Sequence, residues 1–256
     1  MNYWVDTHAH IYLDEFDDDR SQMLDRAKQN QISKILMPNI DRTSIGPMLR
    51  VEEKYQGICI PMMGLHPCSV NQDFESELYE IESWLSKRKF AAVGEIGTDL
   101  YWDKTYWEHQ KEAFAIQVNL ARKHNLPVVI HCRETLEQTI AMIEQMQDGE
   151  LTGVFHCFTG NREHAERIIK LNFYLGIGGV ATFKNGGLDQ VLPHIGVNHI
   201  VLETDSPYLA PMPHRGKRNE PSYITRIAEK VSDFTQQPLE YVMQRTTQNA
   251  IHLFSL

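Results

Sequence analysis

The sequence predicts an α/β fold, a (β/α)8 TIM-type barrel forming one domain over residues 1–256. Eight short β-branched or apolar runs alternate with longer charged stretches of helical spacing, the pattern of βαβ units around a parallel sheet. Eight such units in 256 residues match the size of this barrel. The first strand-to-helix turn, His8-Ala9-His10-Ile11, lacks the glycine-rich phosphate fingerprint that a doubly wound dinucleotide fold would carry there.

In chain order the expected strands are Tyr3–Asp6, Lys34–Pro38, Ile58–Gly64, Ala91–Glu95, Pro127–His131, Gly153–His156, Phe173–Ile177 and His199–Glu203. Helical spacing fills the intervals at Asp17–Asn30, Thr43–Tyr55, Phe74–Lys87, Thr105–His124, Thr135–Gln147, Arg162–Leu171 and Leu188–His194. Tyr223–Phe234 and Leu239–Leu253 follow the eighth strand. There is no tandem repeat of obvious identity, low-complexity tract or Gly/Ser linker to divide the chain.

Composition sets the outer bounds. A chain that is 42% hydrophobic can bury a sizeable core, which excludes disorder. No stretch approaches the ~20 uncharged apolar residues of a membrane span, so no membrane partner is expected. Met1–Asp6 shows neither a basic nor an apolar leader segment, and the cysteines Cys59, Cys68, Cys132 and Cys157 form no CxxC pair. These features predict a cytoplasmic protein without a disulfide framework, and nothing implies an obligate protein partner. A net charge of -9 argues against a broad basic surface for duplex binding, but a local cationic pocket can oppose the global sign.

The polar residues gather at strand ends. Side chains alternate faces along a strand, so His8 and His10 point the same way and can hold one metal ion. Strand 3 ends in Gly64-Leu65-His66-Pro67, strand 4 in Gly94-Glu95-Ile96-Gly97, strand 5 in Ile130-His131, strand 6 in Phe155-His156, and strand 8 in Glu203-Thr204-Asp205. A barrel places its active site at that C-terminal face, where the βα loops converge. A buried polar group costs free energy unless paired, so six tails bearing histidine or carboxylate are hard to explain as packing. Imidazole and carboxylate together suit a pair of divalent ions, with Glu95, in the middle of the set, as the natural bridge. Such a pair lowers the pKa of a shared water and polarises a phosphoryl or carbonyl oxygen.

Around this set lie candidate substrate contacts. The proline-rich segment after strand 8 carries Arg215, Lys217 and Arg218, cations suited to phosphate; Arg133 and Lys184 are further candidates. A solvated loop whose arginines pair with neighbouring carboxylates is the alternative reading. Tyr101 or Trp102 is expected to meet substrate, since aromatics stack on bases of single strands, whereas Trp107 at a helix start reads as packing. Alternation turns Cys132 and Cys157 away from the histidines before them, as small buried apolar residues; Cys68 reads as a partly buried thiol.

The ordered set His8-Ala9-His10, Gly64-Leu65-His66-Pro67, Gly94-Glu95-Ile96-Gly97-Thr98-Asp99, Pro127–Arg133, His156-Cys157-Phe158-Thr159-Gly160, Thr182-Phe183-Lys184 and Glu203–Leu209 resembles the TatD family of metal-dependent hydrolases, within the amidohydrolase superfamily. The resemblance runs from about residue 3 to the C-terminus. It implies a barrel with two divalent ions (Zn, Mn or Mg) and deoxyribonuclease or other phosphodiesterase activity. It implies that His8, His10 and Asp205 hold one ion with Glu95, and that Glu95, His131 and His156 hold the other. His66 would touch substrate or bound water, and Arg218-Asn219 with Pro221 matches the family's basic loop. The family often has histidine at the position of Cys68, and usually leucine and tyrosine where Thr98 and Leu100 flank Asp99; these departures bear on substrate preference.

The expected function is therefore a metal-dependent hydrolase cutting DNA ends or single strands, with Glu95 and Asp205 catalytic. Asp205 would accept a proton from the attacking water. His66, Arg133, Lys184 and Arg218 would contact substrate. C–N or ester hydrolysis of a small metabolite is the alternative, because the same nucleophile attacks a carbonyl. No long cap segment is visible to enclose such a substrate. A non-catalytic barrel would have lost ligands, and here every position is filled.

Overall fold

In the computed structural model, which describes residues 2–256, each apolar run forms a strand. They are β1 Trp4–Asp6, β2 Ile32–Pro38, β3 Cys59–Met62, β4 Val93–Asp99, β5 Val128–Arg133, β6 Gly153–Phe155, β7 Phe173–Ile177 and β8 Ile200–Leu202. All pairings are parallel, in two arcs ordered β1-β2-β3 and β4-β5-β6-β7-β8. Backbone hydrogen bonds carry both seams. The Gly94 N–H donates to Met63 O (3.1 Å) beside β3 and β4, and the Thr7 N–H donates to Leu202 O (3.0 Å) beside β1 and β8. The ring of eight parallel strands is the expected barrel.

The helices are α1 Arg20–Gln29, α2 Arg42–Lys54, α3 Phe74–Lys87, α4 Trp107–His124, α5 Leu136–Met146, α6 Arg162–Lys170, α7 Leu192–Ile195, α8 Ile224–Thr235 and α9 Leu239–Phe254. Two expectations need correction. The helix expected from Asp17 starts at Arg20; a 3-10 turn over Asp14–Phe16 precedes it, and the Asp19 carboxylate binds arginines instead of capping the helix. Leu188–His194 is divided into a 3-10 turn, Leu188–Gln190, and the short α7, which Pro193 confines because proline fits only the first turn of a helix. No helix among the described residues is long and apolar enough to cross a membrane.

β4 runs four residues past its expected end at Glu95. Gly97 makes this possible: it sits at φ +143 beside His131, and a Cβ there would lie 1.9 Å from His131 O. Only glycine allows β4 to stay this close to β5, so Glu95 and His131 are set on adjacent strands.

Val5, Leu36, Met62, Val129, Val154 and Val201, each from a different strand, pack together with Ala250, Leu253 and Phe254 of α9. Contacts among so many strands of one ring occur inside it. α9 covers the ring at its N-terminal end, where Thr247 Oγ1 donates to Tyr3 O (2.8 Å) and Asn249 Nδ2 donates to Ile200 O (2.8 Å). The larger cluster lies between strands and helices. Alternation then places polar side chains directly above this inner layer: two residues beyond Val129, Val154 and Val201 stand His131, His156 and Glu203.

Candidate active site

The strand tails gather His8, His10, His66, Glu95, His131, His156 and Asp205 into one cluster at the C-terminal face. Glu95 is its centre, buried, with each carboxylate oxygen facing a different group of donors. Oε2 lies 3.1 Å from His8 Nε2 and 3.5 Å from His10 Nε2. These two nitrogens are 3.3 Å apart, and Asp205 Oδ1 is 3.8 Å from the first and 3.7 Å from the second. Oε1 lies 2.9 Å from His131 Nδ1 and 3.5 Å from both His156 Nε2 and His66 Nε2. His156 also stacks on His8 at 3.6 Å between ring centroids, so the two groups touch.

The donor set fits divalent cations. Two imidazole nitrogens 3.3 Å apart converge on one carboxylate oxygen with Asp205 Oδ1 within 3.8 Å of both, a set of lone pairs that a single cation satisfies together. No lysine or arginine reaches Glu95 among the described residues; its ion-pair neighbours are all histidines.

The electrostatics result from burial and from these neighbours. Burial opposes ionisation of Glu95, yet His66, His8 and His156 hold its carboxyl well below the usual range. Burial and the nearby His156 depress His8. Burial works against the His156 imidazolium too, but Glu203 and Glu95 push it up to about 10. Ligation needs neutral imidazole, so cation binding must displace such protons.

A surrounding layer orients the imidazoles, and residue type and spacing alone assign it no role. Glu203 Oε1 lies 2.9 Å from His156 Nδ1, Asp99 Oδ2 is 2.9 Å from His131 Nε2, and Tyr12 Oη is 3.1 Å from His10 Nδ1 while donating to Pro38 O at 2.6 Å. Asp6 accepts from the Thr204 N–H (2.9 Å) and hydroxyl (2.6 Å), and burial pushes its carboxyl up to about 8. Parity could have put some of them on the site face without giving their roles: Asp6 and His8 fall two residues apart at the end of β1, and Glu203 falls two beyond Val201 of β8.

The remaining candidates divide. His66 reaches Glu95 directly, at 3.5 Å, so it stands among the donors. Arg133 and Lys184 are exposed. Arg218 does not stand free: its guanidinium makes two hydrogen bonds to Asp19, at 2.7 and 2.8 Å. Tyr101 and Trp102 are exposed, and Trp102 helps line a cleft of 360 Å³ with Asp41, Pro67, Asp99, Tyr106 and Gln110. Cys132 packs against the core as expected, and Cys68 is exposed. Alternation does not govern Cys157. β6 ends at Phe155, and Cys157 turns at φ 47 to stand with His156 and Glu203. Burial, with Asp205 and Glu203 beside it, pushes that thiol well above its usual range, which disfavours a thiolate ligand.

Comparison with known proteins agrees with this geometry. The profile of the TatD related DNase family matches residues 5–255. The chain is 36% identical over 252 residues to the uncharacterized metal-dependent hydrolase YabD of Bacillus subtilis, covering 98% of both chains. It is 31% identical over 258 residues to the 3'-5' ssDNA/RNA exonuclease TatD of Edwardsiella piscicida, covering 98% of this chain and 99% of that one. The crystal structure of the Escherichia coli TatD homologue YjjV superposes with a TM-score of 0.93 at 28% identity, over 99% of this chain and 98% of the other. The chain belongs to the TatD family of metal-dependent hydrolases, enzymes that hydrolyse ester bonds.

Proposed function

We propose that this enzyme binds two divalent cations and cleaves phosphodiester bonds at the ends of single-stranded DNA, as one barrel unit over residues 1–256. The observation that carries this reading is the division of Glu95: each oxygen meets its own set of imidazoles, an arrangement that suits a carboxylate bridging two ions. His8, His10 and Asp205 with Glu95 would hold one cation. Glu95, His131 and His156 would hold the other, and His66 lies 3.5 Å from the same carboxylate oxygen. The histidine-rich set favours Zn or Mn over Mg, which prefers oxygen ligands. When bound, the ions lower the pKa of a water and polarise a phosphoryl oxygen.

The protein's own groups do the rest. Asp205 accepts the proton of the attacking water from a fixed position, its backbone at φ 57 and its N–H bonded to His8 O at 2.8 Å. Asp99, Glu203 and Tyr12 fix the imidazole rings, which keeps the donor atoms aimed at Glu95. Exposed Arg133 and Lys184 meet substrate phosphates, and His66 faces the reacting group. The nuclease named among the relatives supports a nucleic-acid substrate.

The test is incubation of metal-stripped and metal-reloaded protein with end-labelled single- and double-stranded oligonucleotides, read as a ladder, beside a panel of lactones, dipeptides and cyclic ureas. Metal-dependent shortening of single strands is expected. Equal cleavage with and without metal, or turnover of the small molecules alone, overturns the reading.

A further inference from the structure

The cations around the site are not equivalent. Arg218 is paired with Asp19, and Arg26 with both Asp19 and Glu220. Arg133 and Arg215 differ. Each is exposed, and each lies over an aromatic ring: Arg133 at 3.5 Å from the Tyr101 centroid and Arg215 at 3.8 Å from that of Phe183. Neither side chain has an ion pair or hydrogen bond among the described residues.

Both are tied to the active-site face. Arg133 ends β5, two residues beyond His131. The Tyr101 N–H donates to Asp99 Oδ1 at 2.8 Å, and the other oxygen of Asp99 is at His131. Phe183 comes after the turn that ends β7, and the Met212 N–H donates to Thr182 Oγ1 at 2.9 Å, which holds the Arg215 loop to that turn. Between β5 and β7 lies β6, whose tail carries His156. The two arginines therefore stand on either side of the β6 tail that carries His156.

A guanidinium resting on a ring uses its face and keeps its in-plane N–H groups free. Those donors match two phosphate oxygens, and the ring lowers the entropy lost on binding. Carboxylates on most other arginines leave no such capacity. We propose that Arg133 and Arg215 clamp two backbone phosphates of single-stranded nucleic acid, one on each side of the phosphodiester being cut. Arg215, rather than Arg218, is then the phosphate contact of the loop after β8. This inference rests on the nuclease reading above.

The experiment is fluorescence anisotropy of a labelled phosphorothioate oligothymidylate, which resists cleavage, against metal-loaded enzyme across a salt series. Arg133→Gln and Arg215→Gln each weaken binding about tenfold. Each also lowers the slope of log affinity against log salt by about 0.7, the loss of one single-strand phosphate contact. Arg226→Gln, which removes the same charge from an exposed pair on α8, leaves binding within twofold. In cleavage assays on the normal oligonucleotide, KM rises in step with the binding loss, while kcat falls less. Binding by Arg215→Gln within twofold of the unmodified enzyme overturns the clamp, as does an equal loss in Arg218→Gln with an unchanged melting temperature. A wild-type enzyme that neither binds nor cuts oligonucleotides refutes the nuclease reading itself; normal wild-type cleavage with unaffected arginine variants refutes the clamp alone.

Discussion

Glu203 lies against His156: its Oε1 is 2.9 Å from the imidazole Nδ1, as a charge pair, and accepts a hydrogen bond from the Cys157 N–H at 2.6 Å. The chain leaves space for this carboxylate at Gly176, where a Cβ would come within 2.3 Å of Oε2. Partners of this kind fix the tautomer of a ligating histidine. Glu203→Gln is expected to weaken metal retention by roughly 10- to 100-fold, read by competition with a chromogenic chelator. Retention equal to that of the unmodified enzyme would show that the contact orients nothing.

The division of Glu95 between two donor groups predicts a difference in stoichiometry. His131→Ala should keep about one of two cations, since the other oxygen and its imidazoles are untouched. Glu95→Gln should lose affinity for both, with kcat down at least about a hundredfold. Elemental analysis after dialysis decides it. One cation lost from both variants alike contradicts a bridging role.

Asp19, at the start of α1, is joined to the loop after β8 by Arg218, and Arg26 of α1 pairs with both Asp19 and Glu220 of that loop. Its bonds to Arg218, aided by Arg26 and opposed by slight burial, hold its carboxyl down to about 2. A carboxyl depressed in the folded state adds stability above its unfolded pKa near 3.8, and that stability is lost as pH falls towards 2. The stability gap between the unmodified protein and Asp19→Asn, about 1 kcal/mol or less given solvent screening, should stay constant above pH 5 and narrow below pH 4. Urea unfolding across that range measures it. A gap that widens on acidification would reverse the sign and sink the assignment.

Phe254 is 4% exposed and packs at the closed end of the ring. Phe254→Ala leaves a cavity there and should cost about 3–4 kcal/mol in urea unfolding. Metal content of the folded fraction should be unchanged, because the donors lie at the other end. Metal loss matching the stability loss would place α9 closer to the chemistry than its contacts indicate.

Sequence periodicity carries most of the fold because the strands are short, apolar and separated by regular helices. β7 and α3 have the bounds their patterns predict, since turn residues or caps border them on both sides. β4 is longer than its pattern predicts because Gly97, which reads as a strand breaker, is what permits the close pairing with β5. The donors are legible because histidines and carboxylates at strand ends have few packing uses. Glu203 and Asp99 are harder to assign. Each sits beside a stronger candidate, and only the folded ring shows which imidazole it faces. The pairing of Arg218 is hidden for a related reason: Asp19, its partner, is distant in sequence.

The α9 end of the ring has a topological corollary. With the interior filled by side chains and its base stoppered by Leu253 and Phe254, no polymer can thread along the barrel axis, so whatever reaches the donors arrives and departs on the loop face.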